Sequence, residues 1–234
     1  MLVHGGPWAR DSFGYNSTVQ WLANRGYGVL QVNFRSSTGF GKGFINAGNE
    51  QWAKAMHYDL LDAKNWAVNN GIAQESKVAI MGDSYGGYAT LVGLTFTPDE
   101  FSCGVNIVGL SNLTTLHDSI PSYWESFKQV MARAIGDPQT EKGRALLAAR
   151  SPINFVNNIT KPLLIGHGAN DPRAKRTESD QIVEAMVSND IPVTYVLYPD
   201  EGHGFQKPEN NLSFFAVAEA FLAKCQGGRY QEVG

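Results

Sequence analysis

Between Val78 and Tyr88 the chain passes from an apolar run, Val78-Ala79-Ile80-Met81, straight into Gly82-Asp83-Ser84-Tyr85-Gly86-Gly87. The pattern predicts a strand, a sharp elbow with serine at its apex, and the start of a helix. A serine hydroxyl is a weak nucleophile at its ordinary pKa, so catalysis needs it on an exposed, strained turn beside a base. Gly82 and Gly86, each two residues from Ser84, remove the side chains that would collide where strand and helix approach. A plain glycine-rich turn has the same residues, so the rest of the chain must supply partners for the serine.

The remainder alternates short apolar runs with helical patterns. Met1-Leu2-Val3 ends at His4-Gly5-Gly6-Pro7, a turn whose backbone N–H groups face open space. A helix is predicted from Asn16 to Arg25, with Asn16 and Ser17 as caps and Gly26 as stop. Tyr27 to Phe34 reads as a strand, and Arg35 to Gly41 as a loop. The next helix spans Tyr58 to Asn70 and stops at Gly71, with its acidic residues early, where the helix dipole favours them. After the elbow come a buried helix to Phe96 and a strand from Phe101 to Val108. Residues 111–150 break the pattern: helical stretches Ser122 to Ile135 and Thr140 to Ala149 read as an insertion over the sheet's edge. Strands Pro162 to Ile165 and Val193 to Leu197 flank a helix from Thr177 to Ser188, and an amphipathic helix from Leu212 to Lys224 follows. This alternation predicts an α/β fold, a mostly parallel sheet with helices on both faces. The 234 residues fit a single domain.

Charge narrows the partners. A net charge of -3 offers no basic surface for nucleic acid, and no run of about 18 apolar residues points to a membrane. The N-terminus lacks a basic segment followed by an apolar one, so no signal peptide is read and a cytoplasmic location is expected. Cys103 in an apolar run and Cys225 near the last helix's end are expected as buried or idle thiols rather than a bridge, with pairing left open. No Cys/His cluster has ligand spacing, so neither metal nor cofactor is expected.

In a parallel sheet the active residues follow the carboxyl ends of strands. Two such loops qualify, Gly166 to Arg173 and Tyr198 to Phe205. They offer Asp171 and His203, and the order Ser84, Asp171, His203 is that of the α/β-hydrolases. His203, between two glycines, is the candidate base and then acid; Asp171 would hold the imidazole in the right tautomer. Asp200 and Glu201 are rival acids, although their closeness to His203 in sequence makes the geometry awkward. His167 is a rival base that reads equally as a structural histidine at a strand end. His4 is read as support for the glycine turn, His57 and His117 as surface residues, and Asp83 as a carboxylate facing away. The expected oxyanion donors are the backbone N–H groups of Tyr85 and Gly6.

Six stretches together resemble the catalytic domain of the prolyl oligopeptidase family of serine peptidases, most closely its acylaminoacyl-peptidase branch. They are His4 to Pro7, Asn33 to Arg35 with Ser37 to Gly41, Gly82 to Tyr88, Arg150 to Pro152, Asp171 to Arg173, and Gly202 to Phe205, in order along nearly the whole chain. The resemblance implies an α/β-hydrolase domain with Ser84, Asp171 and His203 as triad and Tyr85 with Gly6 as oxyanion hole. It also implies that Arg173 grips a substrate carbonyl and that Tyr123, Trp124 and Phe127 wall an apolar side-chain pocket. Four features depart from the pattern. Nothing corresponds to the β-propeller that usually filters substrates, and only Met1-Leu2-Val3 precede the glycine turn where further strands are usual. Ser36 replaces a usual glycine, and Ala174 a usual valine.

The site is therefore expected to be uncovered and one sheet edge open. Either a second copy covers that edge in a homo-oligomer, or the chain is a shortened form of a longer peptidase. The expected function is that of a serine hydrolase of acylaminoacyl-peptidase type, cleaving acyl-peptides or small esters through an acyl-enzyme. A stand-alone carboxylesterase on short-chain esters is the practical alternative, and a non-catalytic fragment the alternative of another class.

Overall fold

The computed structural model describes residues 1–120 and 124–232. Strand β1 (Leu2–Val3) pairs in parallel with β2 (Ile80–Asp83), β2 with β3 (Gly104–Ile107), β3 with β4 (Leu163–Gly168), and β4 with β5 (Thr194–Tyr198). Strand order therefore follows chain order across a five-stranded sheet. Successive strand residues face opposite sides. Ile80, Leu163 and Ile165 enter one apolar cluster, whereas Met81 and Leu164 enter the other. Both faces are covered, as a parallel sheet requires.

After the short helix α2 (Lys42–Asn46) come the helices of the first face, α3 (Ala55–Asn69), α4 (Tyr85–Phe96) and α8 (Thr177–Ser188), which contribute Met56, Leu60, Leu91, Leu94, Ile182 and Met186. On the second lie α1 (Ser17–Asn24) and α9 (Pro208–Gln226), with Leu22, Phe214, Ala218 and Leu222. Asn16 caps α1 by accepting from Val19 N at 3.0 Å, and α9 ends at Gly227 in the left-handed conformation. Among the described residues no helix is long and apolar enough to cross a membrane.

Four expectations need correction. Tyr27 to Phe34 is not a strand: it runs beside β1 with an isolated bridge, Gln31 to Leu2, and one bond from Leu2 N to Leu30 O at 2.9 Å. Its β-forming residues have only a two-residue partner, too short to build a ladder. Helix α3 begins at Ala55 and has no acidic residue in its first turn. Asp59 instead takes a two-pronged contact from Arg35, at 2.8 Å to Nε and 2.6 Å to Nη2.

The insertion does not lie on an edge strand. It leaves from central strand β3, and its helices α5 (Leu113–Ser119), α6 (Glu125–Ile135) and α7 (Glu141–Ala149) send Leu113, Leu116, Met131, Ile135 and Leu147 into the cluster that holds Tyr85 and Tyr88. Cys103 and Cys225 are joined in a disulfide, with Cα atoms 6.5 Å apart across a separation of 122 residues. The C-terminal end of α9 returns beside the start of β3, a proximity that neither local sequence displays.

Candidate active site

Ser84 stands between β2 and α4 at φ 55 and ψ -114, a conformation that side chains other than glycine rarely adopt. Ser84 N donates to Ile107 O at 2.9 Å, and Ser84 O accepts from Tyr88 N at 3.0 Å. Tyr85 and Tyr88 hold the far side of the elbow inside an aromatic cluster. Trp52 lies 4.7 Å from Tyr85 and 5.2 Å from Tyr88, and Phe34 lies 5.2 Å from Tyr85. Burial drives both phenols far above their ordinary pKa, and Tyr88 donates to Arg150 O at 2.8 Å. Tyr85 can thus serve the cleft only through its backbone N–H, one of the free donors at a helix start. The elbow's glycines are needed for approach: a Cβ on Gly82 or Gly86 would run into the Val3 carbonyl.

The glycine turn lies against Ser84. A Cβ on Gly5 would fall 3.5 Å from Ser84 Cβ, and Gly6 has φ 121. His4 supports the turn as expected. Its Nδ1–H donates to Gly5 O at 2.8 Å, Nε2 pairs with Ser37 Oγ at 2.9 Å, and the ring stacks on Phe34 at 4.4 Å.

Beyond β4 and β5 the two loops close on each other. A Cβ on Gly168 would collide with the backbone of Glu201 and Gly202, and Asn170 N donates to Glu201 O at 2.9 Å. This contact carries Asp171 to His203, whose Nδ1–H donates to Asp171 Oδ2 at 2.7 Å. The other oxygen, Oδ1, accepts from Arg173 N at 2.8 Å and Ala174 N at 3.0 Å. The Asp171 carboxylate is buried, while the imidazole keeps some solvent contact. With Nδ1–H so committed, Nε2 is the nitrogen left to accept a proton. Among the described residues Ser84 Oγ makes no hydrogen bond, so the bonded pair within the expected triad is His203 with Asp171.

The rivals are spoken for. His167 is buried, with Nε2 bonded to Ala174 O at 2.9 Å and Nδ1 to Ser179 Oγ at 2.7 Å, and burial lowers its pKa. Glu201 caps the backbone N–H groups of Gln206 and Lys207 at 3.0 and 2.9 Å, and Asp200 pairs with Lys207 and Asn210.

His57 and His117 are buried rather than on the surface. His57 bonds to Thr97 at 2.9 Å, and burial pushes its pKa down to about 4; the same cause lowers that of His117. Both are covered by packing between helices, of which local sequence carries no sign. Asp83 does not face away either: its Oδ2 lies 3.1 Å from where a Gly5 Cβ would stand. Protein packed around the carboxyl raises its pKa, opposed by the charges of His203 and His4.

Of the expected substrate residues, Arg173 is exposed beside Asp171. Phe127 meets Trp124 edge-on at 5.7 Å, whereas Tyr123 lies outside the described residues. Trp8 was not foreseen. Two residues past Gly6, it packs edge-on against Phe127 at 6.0 Å and so joins the glycine turn to the insertion. An aromatic residue immediately after the glycine turn was the available signal.

A strained serine elbow on a parallel strand, a glycine turn beside it and an Asp–His pair in the later loops define the α/β-hydrolase class. Within that class, residues 13–229 match the prolyl oligopeptidase family, and the chain belongs to it. It is 64% identical over its whole length to dipeptidyl aminopeptidase BIII of Pseudoxanthomonas mexicana, covering 34% of that protein. It is 26% identical over 96% of its length to an acylamino-acid-releasing enzyme of Arabidopsis thaliana, covering 30% of it. A puromycin-hydrolysing peptidase of Mycobacterium tuberculosis superposes with a TM-score of 0.91 at 29% identity, over 99% of this chain and 34% of that one. The chain thus spans about a third of the length of the curated relatives it matches.

Proposed function

We propose that this chain is the catalytic portion of a serine peptidase that works through an acyl-enzyme. Ser84 Oγ attacks the substrate carbonyl while His203 Nε2 takes its proton; Asp171 holds the imidazole and balances its positive charge. The Tyr85 and Gly6 N–H groups receive the developing oxyanion, each contributing about 3 kcal/mol of transition-state stabilisation. His203 then protonates the departing amine, and water repeats the sequence to free the acid. The observation that carries this reading is the 2.7 Å bond between His203 and buried Asp171, with Nε2 left free for a serine on a strained elbow.

The names of the relatives favour short units taken from the N-terminal end of a peptide, and the 64% identity favours dipeptides over acylated residues. Trp8, Trp124 and Phe127 offer an apolar wall for the side chain before the scissile bond, and Arg173 a donor for a substrate carbonyl. The same machinery hydrolyses small esters, whose leaving groups are better. The Cys103–Cys225 bridge favours an oxidising compartment over the cytoplasm expected from sequence. Labelling with a fluorophosphonate probe tests the reading: wild-type chain labels and Ser84→Ala does not. A folded wild-type chain that fails to label is instead a non-catalytic fragment.

A further inference from the structure

Asp83 ends β2 and immediately precedes Ser84. Its carboxylate folds over the glycine turn, with Oδ2 3.1 Å from the place a Gly5 Cβ would occupy. The residue keeps contact with solvent although protein crowds its carboxyl, which accepts from its own backbone N–H; among the described residues no ion pair ties it down. The charged groups that act on it are His203 from the loop after β5, His4 from the turn, and Asp11 from the segment beyond the turn.

An anion in this place has opposite effects on the two halves of a substrate. Toward the acyl half it opposes the negative charge that grows on the carbonyl oxygen. Toward the departing half it is favourable, because His203 delivers a proton there and the released amine becomes an ammonium. A cationic side chain on the departing residue gains most, since its charge is present in the transition state as well. Resting on the serine-peptidase reading above, we propose that Asp83 is a specificity residue for the leaving group, its carboxylate receiving a cationic side chain on the residue just after the scissile bond.

The test uses two peptides identical up to that bond, Ala-Phe-Lys-amide and Ala-Phe-norleucine-amide, which differ in one ammonium group. Wild-type chain is expected to show a kcat/KM about fivefold higher for the lysine peptide, the size of a partly exposed charge pair. Asp83→Asn is expected to bring the ratio near one, and so is raised salt with the wild-type chain, which needs no variant to fold. A wild-type ratio near one, or a ratio unchanged by both Asp83→Asn and salt, overturns the role of Asp83 while leaving the peptidase reading intact. Folded wild-type chain that cleaves neither peptide overturns both.

Discussion

His203 Nδ1 lies 2.7 Å from Asp171 Oδ2, and the second oxygen of that carboxylate is held by the N–H groups of Arg173 and Ala174. The acid is fixed before any substrate arrives, so it fixes the imidazole in turn. Asp171→Asn keeps the shape but offers the ring a different partner, which favours the wrong tautomer. The expected loss is about four orders of magnitude in kcat with little change in Tm, read by ester hydrolysis and calorimetry.

The elbow's strain predicts a trade between stability and chemistry. Ser84 at φ 55 and ψ -114 carries a cost of about 1–3 kcal/mol, which glycine does not incur. Glycine loses about 0.5–1 kcal/mol in extra chain entropy. Ser84→Gly is therefore expected to raise Tm by about 2–4 °C while abolishing hydrolysis. A lowered Tm would show that the elbow is not strained in solution.

The disulfide closes a loop of 122 residues from the start of β3 to the end of α9. A crosslink of that span adds about 2–4 kcal/mol through the unfolded chain. Cys225→Ser, at the less buried end, is expected to lower the urea midpoint accordingly, and the unreduced wild-type chain to show no reactive thiol after denaturation. A thiol titration that finds two would contradict the bridge.

His57 makes stability depend on pH. Burial lowers its pKa from 6.5 to about 4, so between those values the unfolded chain binds a proton that the folded chain does not. Stability is complete above the unfolded value and declines as pH falls from about 6.5 toward 4, by an amount on the order of 3 kcal/mol. Urea unfolding of wild type and His57→Gln at pH 7 and pH 5 should show a shallower decline in the variant.

Much of this was legible because it is local. The helix Thr177–Ser188 was read to the residue, since its apolar spacing and early acidic residues lie within one segment. Asp171 and His203 were read from loops after strands, and the structure joins that pair, because a parallel sheet gathers those loops at one end. What escaped depends on contacts between distant segments. Tyr27 to Phe34 has strand composition but a two-residue neighbour, and Cys103 meets Cys225 only after α9 has crossed the sheet's second face. Asp83 was misread because its carboxyl lies against Gly5, far away in the chain.

The central claim is that Ser84 becomes acylated, and the most direct measurement is a rapid acid quench during turnover of p-nitrophenyl butyrate followed by peptide mapping. The account predicts a burst of about one nitrophenol per chain and a butyryl group on the peptide that holds Ser84. A folded chain that turns over the ester with no acyl group on that peptide, or with one elsewhere, would contradict it.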